Sequence, residues 1–370
     1  MSNEYLHPDK NERLRAFLAT TKCAGALLTR RANIAWIADG ADVHVDAGSE
    51  FGIAALLWTP TRRLIFTDNI EAARLRAEEF PDPKEWEIVE RPWWEAPPLF
   101  RATDWMGEKW AREHPILDDR SVDHFAELRF SLTPAERDRA RTLGHEAAEI
   151  MQSVMMRFTR GTTEHELAGT LGGELRKRGI FTPVLLVAAD DRIARFRHPI
   201  PTTQVINATV MAAICAQRQG LIVSLTRLVH FGAALPDDLQ RRHDAVCHVD
   251  ATLHTHTTVG TRWSDIFNTA ISVYHSEGFA TEWQQHHQGG PMGYAARDFK
   301  ATAEEHRTVR PHQVVGWNPS ITGTKSEDTV LAAEMPGAPA EVVTTMSAWP
   351  MNERAAAGMV RRPDILLRHK

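Results

Sequence analysis

A capping box at Thr133 and Glu136, with Pro134 between them at the first helical position, fixes a helix start just after Ser131-Leu132 and divides the chain there. The composition changes at the same place. Seven of the 11 tryptophans precede residue 131, whereas fourteen of the 18 histidines follow it. Beyond the boundary Leu143, Ala147, Ile150, Met151, Val154 and Phe158 recur at spacings of three and four, the stripe of a helix laid on a core, with Gly161 predicted to end it. A second capping box, Thr163 to Glu166, opens another helix with Leu167, Leu171 and Leu175 on one side and Gly179 as its C-terminal cap.

Before the boundary, residues 24–28, 53–58 and 63–66 read as short strands, and 11–19 and 70–79 as helices, an α/β domain over 1–130. The Pro- and Trp-rich stretch 85–99 shows no period. After the boundary, 184–189, 208–217 and 220–231 have strand content, and the last two read as a hairpin. With Arg218-Gln219 as its two-residue loop, Ala213 is expected directly opposite Ser224, β-carbons about 5 Å apart. Residues 236–277 are mainly helical in pattern, and 317–331 return to turn and strand.

The 370 residues, 43% hydrophobic and 25% charged, can bury one large core or two ordinary ones, which excludes disordered and fibrous classes. A net charge of -5 without a basic run argues against a nucleic-acid partner. The polar start at 1–10 lacks a secretory pattern, and no apolar run approaches about 18 residues, so the expectation is a cytoplasmic protein with no membrane partner. Cys23, Cys215 and Cys247 are odd in number and far apart, as reduced thiols would be.

Several segments together resemble the creatinase and aminopeptidase P family across nearly the whole chain. In the first half they are Asn33-Ile34-Ala35-Trp36 and Thr67-Asp68-Asn69-Ile70-Glu71. In the second they are Gly161-Thr162-Thr163-Glu164, Arg197-His198-Pro199, Leu225-Thr226-Arg227, His286-His287-Gln288-Gly289-Gly290 and Gly323-Thr324-Lys325-Ser326-Glu327-Asp328-Thr329. The resemblance implies an α/β N-terminal creatinase-like domain, 1–130, followed by an α+β pita-bread domain, 131–370, in a homodimer. It also implies a two-metal site in the peptidase members, built from two Asp, one His and two Glu. Those positions here are Ala213, Ser224, His287, Asn318 and Glu327. Two strong ligands of five are too few for a dinuclear centre, so neither metal nor other cofactor is expected.

What remains suits proton chemistry. His198, His287 and Glu327 are the candidate catalytic residues; Arg227, Asn318, Ser224 and His286 are the candidate substrate-binding residues. Creatinase, which resembles the metallopeptidases yet cleaves a small guanidino compound without metal, is the precedent for a metal-independent hydrolase or lyase acting on a C–N bond of a small amino-acid-like substrate. With Asn318 and Ser224 neutral, a zwitterion or anion suits the pocket better than creatine. One rival is a non-catalytic pita-bread binding module. Another is a metal-dependent Xaa-Pro aminopeptidase or dipeptidase with atypical ligands, such as a single metal on His287, Glu327 and another histidine.

Plainer roles compete for the same residues. Glu327 could be spent in a surface ion pair with Lys325 or Arg227, and Arg227 could be a brace. Cys215, on a strand face with Ala213, could be a nucleophile with His287 as base, but a small buried hydrophobe is the favoured reading. His243, His248, His254 and His256 read as solvated or packing residues, and Gly289-Gly290 with Gly293 lacks the frame of a phosphate loop. Trp93-Trp94 is open between substrate wall and packing.

Overall fold

The computed structural model describes residues 9–95, 115–122, 124–353 and 360–369, so the leading segment 1–8 and the 96–99 end of the Pro- and Trp-rich stretch lie outside the described residues. The chain separates into two compact units, Met1–Arg129 and Phe130–Lys370.

In the first unit the expected strands form as β1 (Gly25–Arg30), β2 (Phe51–Trp58) and β3 (Arg63–Asp68), extended by β4 (Glu87–Arg91) and β5 (Ile116–Asp118) into a sheet ordered β4-β3-β2-β1-β5. Leu27, Leu57, Leu64 and Phe66 bury one face, as alternation requires. Leu14 and Leu18, four apart on the helix Lys10–Thr21, are also buried. The helix expected at 70–79 is only three α-helical residues, Ala72–Arg74, run on as a π turn, Leu75–Glu79. β4 lay hidden in the stretch without a period. It is an edge strand, and Glu87, Glu90 and Arg91 mask the half-buried Ile88 and Val89.

In the second unit both capping boxes close. Thr133 and Thr163 each accept from the backbone of the glutamate three residues on and donate their own N–H to its carboxylate, opening the helices Pro134–Arg157 and Glu164–Lys177. The first stops at Arg157, short of Gly161, which sits in the following loop with φ +93°. One sheet runs β15-β8-β7-β6, from β6 (Phe181–Ala189), β7 (Thr209–Arg218), β8 (Leu221–Phe231) and β15 (Leu366–Arg368). Another runs β14-β13-β10-β9, from β9 (Gly289–Met292), β10 (Val314–Trp317), β13 (Asp328–Leu331) and β14 (Glu341–Val342), with the small hairpin of β11 (Ser320–Ile321) and β12 (Thr324–Lys325) in between. Val246, Val249, Leu253, Trp263, Ile266 and Tyr274, from the helices Asp237–His256 and Trp263–Ser276, pack with Val315, Trp317 and Val330 of the second sheet. Among the described residues no helix is long and apolar enough to cross a membrane.

The β7–β8 hairpin turns one residue later than expected. Gln219 (φ 49°) and Gly220 (φ 77°) form the loop, because a two-residue turn matched to strand twist needs positive φ at both central positions and glycine takes it without strain. Arg218 therefore pairs with Leu221, Ala213 faces Thr226, and Ser224 faces Cys215 rather than Ala213. In β9 the paired glycines serve close backbone approach and not an anion. A β-carbon on Gly289 would stand 2.2 Å from the Gly316 carbonyl, and one on Gly290 2.4 Å from that of Phe299.

Candidate active site

A cavity of about 300 Å3 opens on the β6–β7 face, with Val184, Leu186, Ala213, Ile214 and Cys215 as its apolar wall. His198, His287, Arg297, Asn318, Lys325 and Glu327 line it with polar groups. Each is set by its neighbours in the chain. Arg197 bridges Glu282 (2.6 Å) and the Thr322 hydroxyl (3.0 Å), holding the loop that presents His198. Gln288 donates to the carbonyls of Trp283 (3.1 Å) and His286 (2.6 Å) and accepts from the Tyr274 hydroxyl (2.8 Å), which fixes the two histidines before it. Asn318 hangs from the Gln288 carbonyl by its own N–H, at 3.0 Å.

Glu327 is joined to β8 twice. Thr226 N–H donates to its carbonyl at 3.1 Å, and the Thr226 hydroxyl to its Oε2 at 2.6 Å. Lys325 Nζ lies 2.8 Å from the same oxygen, and Arg297 Nη2 stands 3.9 Å from Oε1. Burial alone would raise the carboxyl; the Lys325 and Arg297 charges and these hydrogen bonds outweigh it and hold Glu327 below the usual carboxylate range. The ion pair with Lys325 is real but buried, with side-chain exposures of 7% and 5%, so it is not the surface contact that the plainer reading supposed.

The histidines cluster above it. His286 Nε2 lies 3.1 Å from His198 Nε2, and the rings of His286 and His287 stack with centroids 4.4 Å apart. Burial, and then the positive charge of Lys325, lowers His198 and drives His286 far down; burial followed by Arg297, Lys300 and Lys325 takes His287 to about 4. The shifts favour the neutral imidazole at all three; one nitrogen of the His198–His286 contact donates and the other accepts, while His286 Nδ1 and His287 Nδ1 are buried without a partner. Cys215 lines the cavity, yet burial and the Glu327 charge push its thiol up to about 11, which removes the thiolate a nucleophile needs.

Three of the four expected substrate contacts, Ser224, Arg227 and His286, do not line the cavity. Ser224 is fully buried and does not line the cavity: its N–H and carbonyl are bound by the Thr329 hydroxyl, and its own hydroxyl faces Met292 Sδ. Arg227 is the brace of the plainer reading. It donates to Asp328 (2.8 Å) and to the carbonyls of Thr226, Glu327 and Thr344, all inside the core. Arg362 completes that network by bridging Asp328 and Asp250, so two buried cations meet two buried carboxylates directly behind Glu327. His286 touches His198 without lining the cavity. His243, His248, His254 and His256 each face a partner of their own: Thr324, Glu277, Asp250 and the Thr252 carbonyl.

Sequence reasoning missed Arg297 as a site residue and assigned no pocket role to Lys325 or Thr226. Lys325 and Thr226 sat inside the quoted motifs, Lys325 two residues before Glu327 and Thr226 two after Ser224, and in extended chain a spacing of two brings side chains to one face. Arg297 follows β9 without a motif of its own, and nothing in its surroundings marked it.

The donor set does not fit a pair of divalent metals. Bridging carboxylates are needed for two cations, and the single carboxylate lining this cavity among the described residues is already ion-paired to Lys325 with Arg297 beyond it. Among the described residues His198, His286 and His287 are a group of three potential ligands, with donor atoms within 4.8 Å of one another. The charges of Lys325, Arg297 and Lys300 that depress His287 act equally against a cation there.

Residues 138–334 match the model of metallopeptidase family M24. Among solved structures, the fold is similar to an Xaa-Pro dipeptidase from Bacillus anthracis, with a TM-score of 0.73 and 15% identity over 97% of this chain and 99% of that one. It is similar to the prolidase from Pyrococcus horikoshii OT3, at 0.72 and 14% over 92% and 99%, and to an X-Pro aminopeptidase from Thermotoga maritima MSB8, at 0.71 and 14% over 97% and 100%. No curated protein matches the chain. At such identities the likeness carries the fold alone, and the expected pita-bread architecture is borne out. Matched by the family model over more than half its length, the chain belongs to metallopeptidase family M24.

Proposed function

We propose that this M24 protein is a metal-independent hydrolase or lyase of the creatinase kind, acting on a C–N bond of a small amino-acid-like molecule in the cytoplasm as a homodimer. The observation that carries the reading is the buried Lys325–Glu327 pair: fixed positive side chains stand beside the one carboxylate that lines the cavity among the described residues. The Lys325 and Arg297 cations are already in place to meet negative charge on the substrate, so they orient it against the histidines without rearranging the site.

His198 is the proposed general base. It is the exposed member of the histidine cluster, neutral at pH 7, and open to water. In hydrolysis it takes a proton from water as the oxygen bonds to the substrate carbon; the C–N bond then breaks with its electron pair passing to nitrogen, and the imidazolium returns the proton to that nitrogen. His287 supplies a second neutral imidazole at the cavity, and Glu327 fixes Lys325.

Turnover of a panel of amino-acid-like amides and ureides, with and without excess chelator, tests the reading alongside elemental analysis of dialysed protein. Turnover that persists in chelator and is lost in His198→Ala is expected. A stoichiometric metal surviving dialysis, with chelator-sensitive cleavage of Xaa-Pro peptides, would overturn it.

A further inference from the structure

The cavity's unpartnered atoms describe the ligand they lack. Arg297 Nε is buried without a hydrogen-bond partner, and its Nη2 reaches Glu327 only at 3.9 Å. Lys325 beside it has spent one contact on Glu327. Arg297 Nη1 donates to the Ala296 carbonyl at 2.6 Å, which leaves Nε as the unmet donor; a carboxylate would supply it, and the remaining N–H donors of Lys325, with charge-assisted hydrogen bonds. On the other side of the balance, Asn318 Oδ1 is buried with no donor, and a buried acceptor left so costs more than one that meets an N–H.

A cationic group has no place in this set. An ammonium or guanidinium would need a free carboxylate, and Glu327, the one that lines the cavity among the described residues, has Oε2 occupied by Lys325 and Thr226. Two cations near it would also repel a third. The wall of Val184, Leu186 and Ile214 accepts a small apolar group, and about 300 Å3 suffices for one amino-acid-sized molecule.

We propose that the cavity selects an N-acyl or N-carbamoyl amino acid: a carboxylate held by Arg297 and Lys325, and an uncharged amide or ureide N–H donated to Asn318. The inference rests on the reading of this cavity as the active site, and it narrows the substrate class to anions without a positive group.

Calorimetric titration of the full chain at neutral pH tests it with five probes: N-acetylglycine, N-carbamoylglycine, N-acetylglycinamide, glycylglycine and guanidinoacetate. The first two are expected to bind at least about tenfold tighter than the others, since each of the others lacks the carboxylate or adds a cation. Arg297→Gln is expected to weaken N-acetylglycine about tenfold or more, and Arg297→Lys less. Equal or tighter binding of guanidinoacetate, glycylglycine or N-acetylglycinamide overturns the inference, as does no binding of the two anions. The wild-type series decides even if Arg297→Gln fails to fold. Binding of the anions without release of amine supports this inference while sinking the hydrolase reading; metal-free turnover of guanidinoacetate does the reverse.

Discussion

Lys325 Nζ and Glu327 Oε2 lie 2.8 Å apart, two residues from each other in the chain, at a cavity where both side chains are almost wholly buried. The two charges were taken out of water together, so each depends on the other. Removing one partner of such a pair leaves an uncompensated buried charge and costs about 3–5 kcal/mol, whereas replacing both by apolar groups is far milder. Glu327→Gln and Lys325→Met are each expected to destabilise by several kcal/mol, and the double variant by less than their sum. Urea unfolding of the four proteins measures the coupling, and additive effects would show that the pair is not a unit.

His198 invites the opposite experiment, because it is exposed and its loss should leave the fold alone. Arg197, which holds its loop, stays bonded to Glu282 and Thr322 whatever side chain follows. His198→Ala is expected to lower turnover by about 10²–10⁴-fold with a melting temperature unchanged, and added imidazole should restore part of it. Loss of turnover together with loss of stability would assign the residue a structural role.

The contrast between β7 and Arg297 shows how much of the site could be read in advance. Capping boxes, apolar stripes and strand content depend on local spacing, so the helices at Pro134–Arg157 and Glu164–Lys177 and the strands of the hairpin were legible. The hairpin register was not, because it turns on whether Gly220 ends a strand or makes the turn, and only its φ of 77° settles that. Motif order brought His198, His287, Asn318 and Glu327 to one cavity. It could not tell Arg227, spent on Asp328 in the core, from Arg297 at the cavity wall, since the partner of a long cation is fixed by tertiary packing. Asp250 and Arg362, 112 positions apart, carried no local signal at all.

Cys215 separates proximity from reactivity. It lines the same cavity as His198 and His287, but with its thiol pushed up to about 11 almost none is thiolate at pH 7. Cys215→Ser is expected to keep turnover within a few-fold of wild type, and iodoacetamide to modify Cys215 slowly at neutral pH. Rapid alkylation there with parallel loss of activity would restore the thiol as a nucleophile.

The histidine cluster also contributes to the acid sensitivity of the fold, alongside His243 and His254, which burial lowers in the same direction. Burial and the charges of Arg297, Lys300 and Lys325 hold His287 at about 4 in the native state, against about 6.5 for an unfolded histidine. Between those values the unfolded chain binds a proton that the native state refuses, so stability rises with pH across the window and falls as pH drops from about 6.5 towards 4. His198 and His286 are lowered in the same direction and add to the slope. Glu327 acts in a different range: lowered in the native state, its contribution is present above the unfolded value of about 4.3 and is lost only as pH falls further, through its native pKa. Melting temperatures measured at intervals from pH 7 to 4 are therefore expected to fall, and to fall less steeply in His287→Gln, which has no proton to refuse. Parallel curves for the two proteins would mean that His287 takes up its proton in the native state at the ordinary pH, and that the cations beside it are better screened than their burial implies.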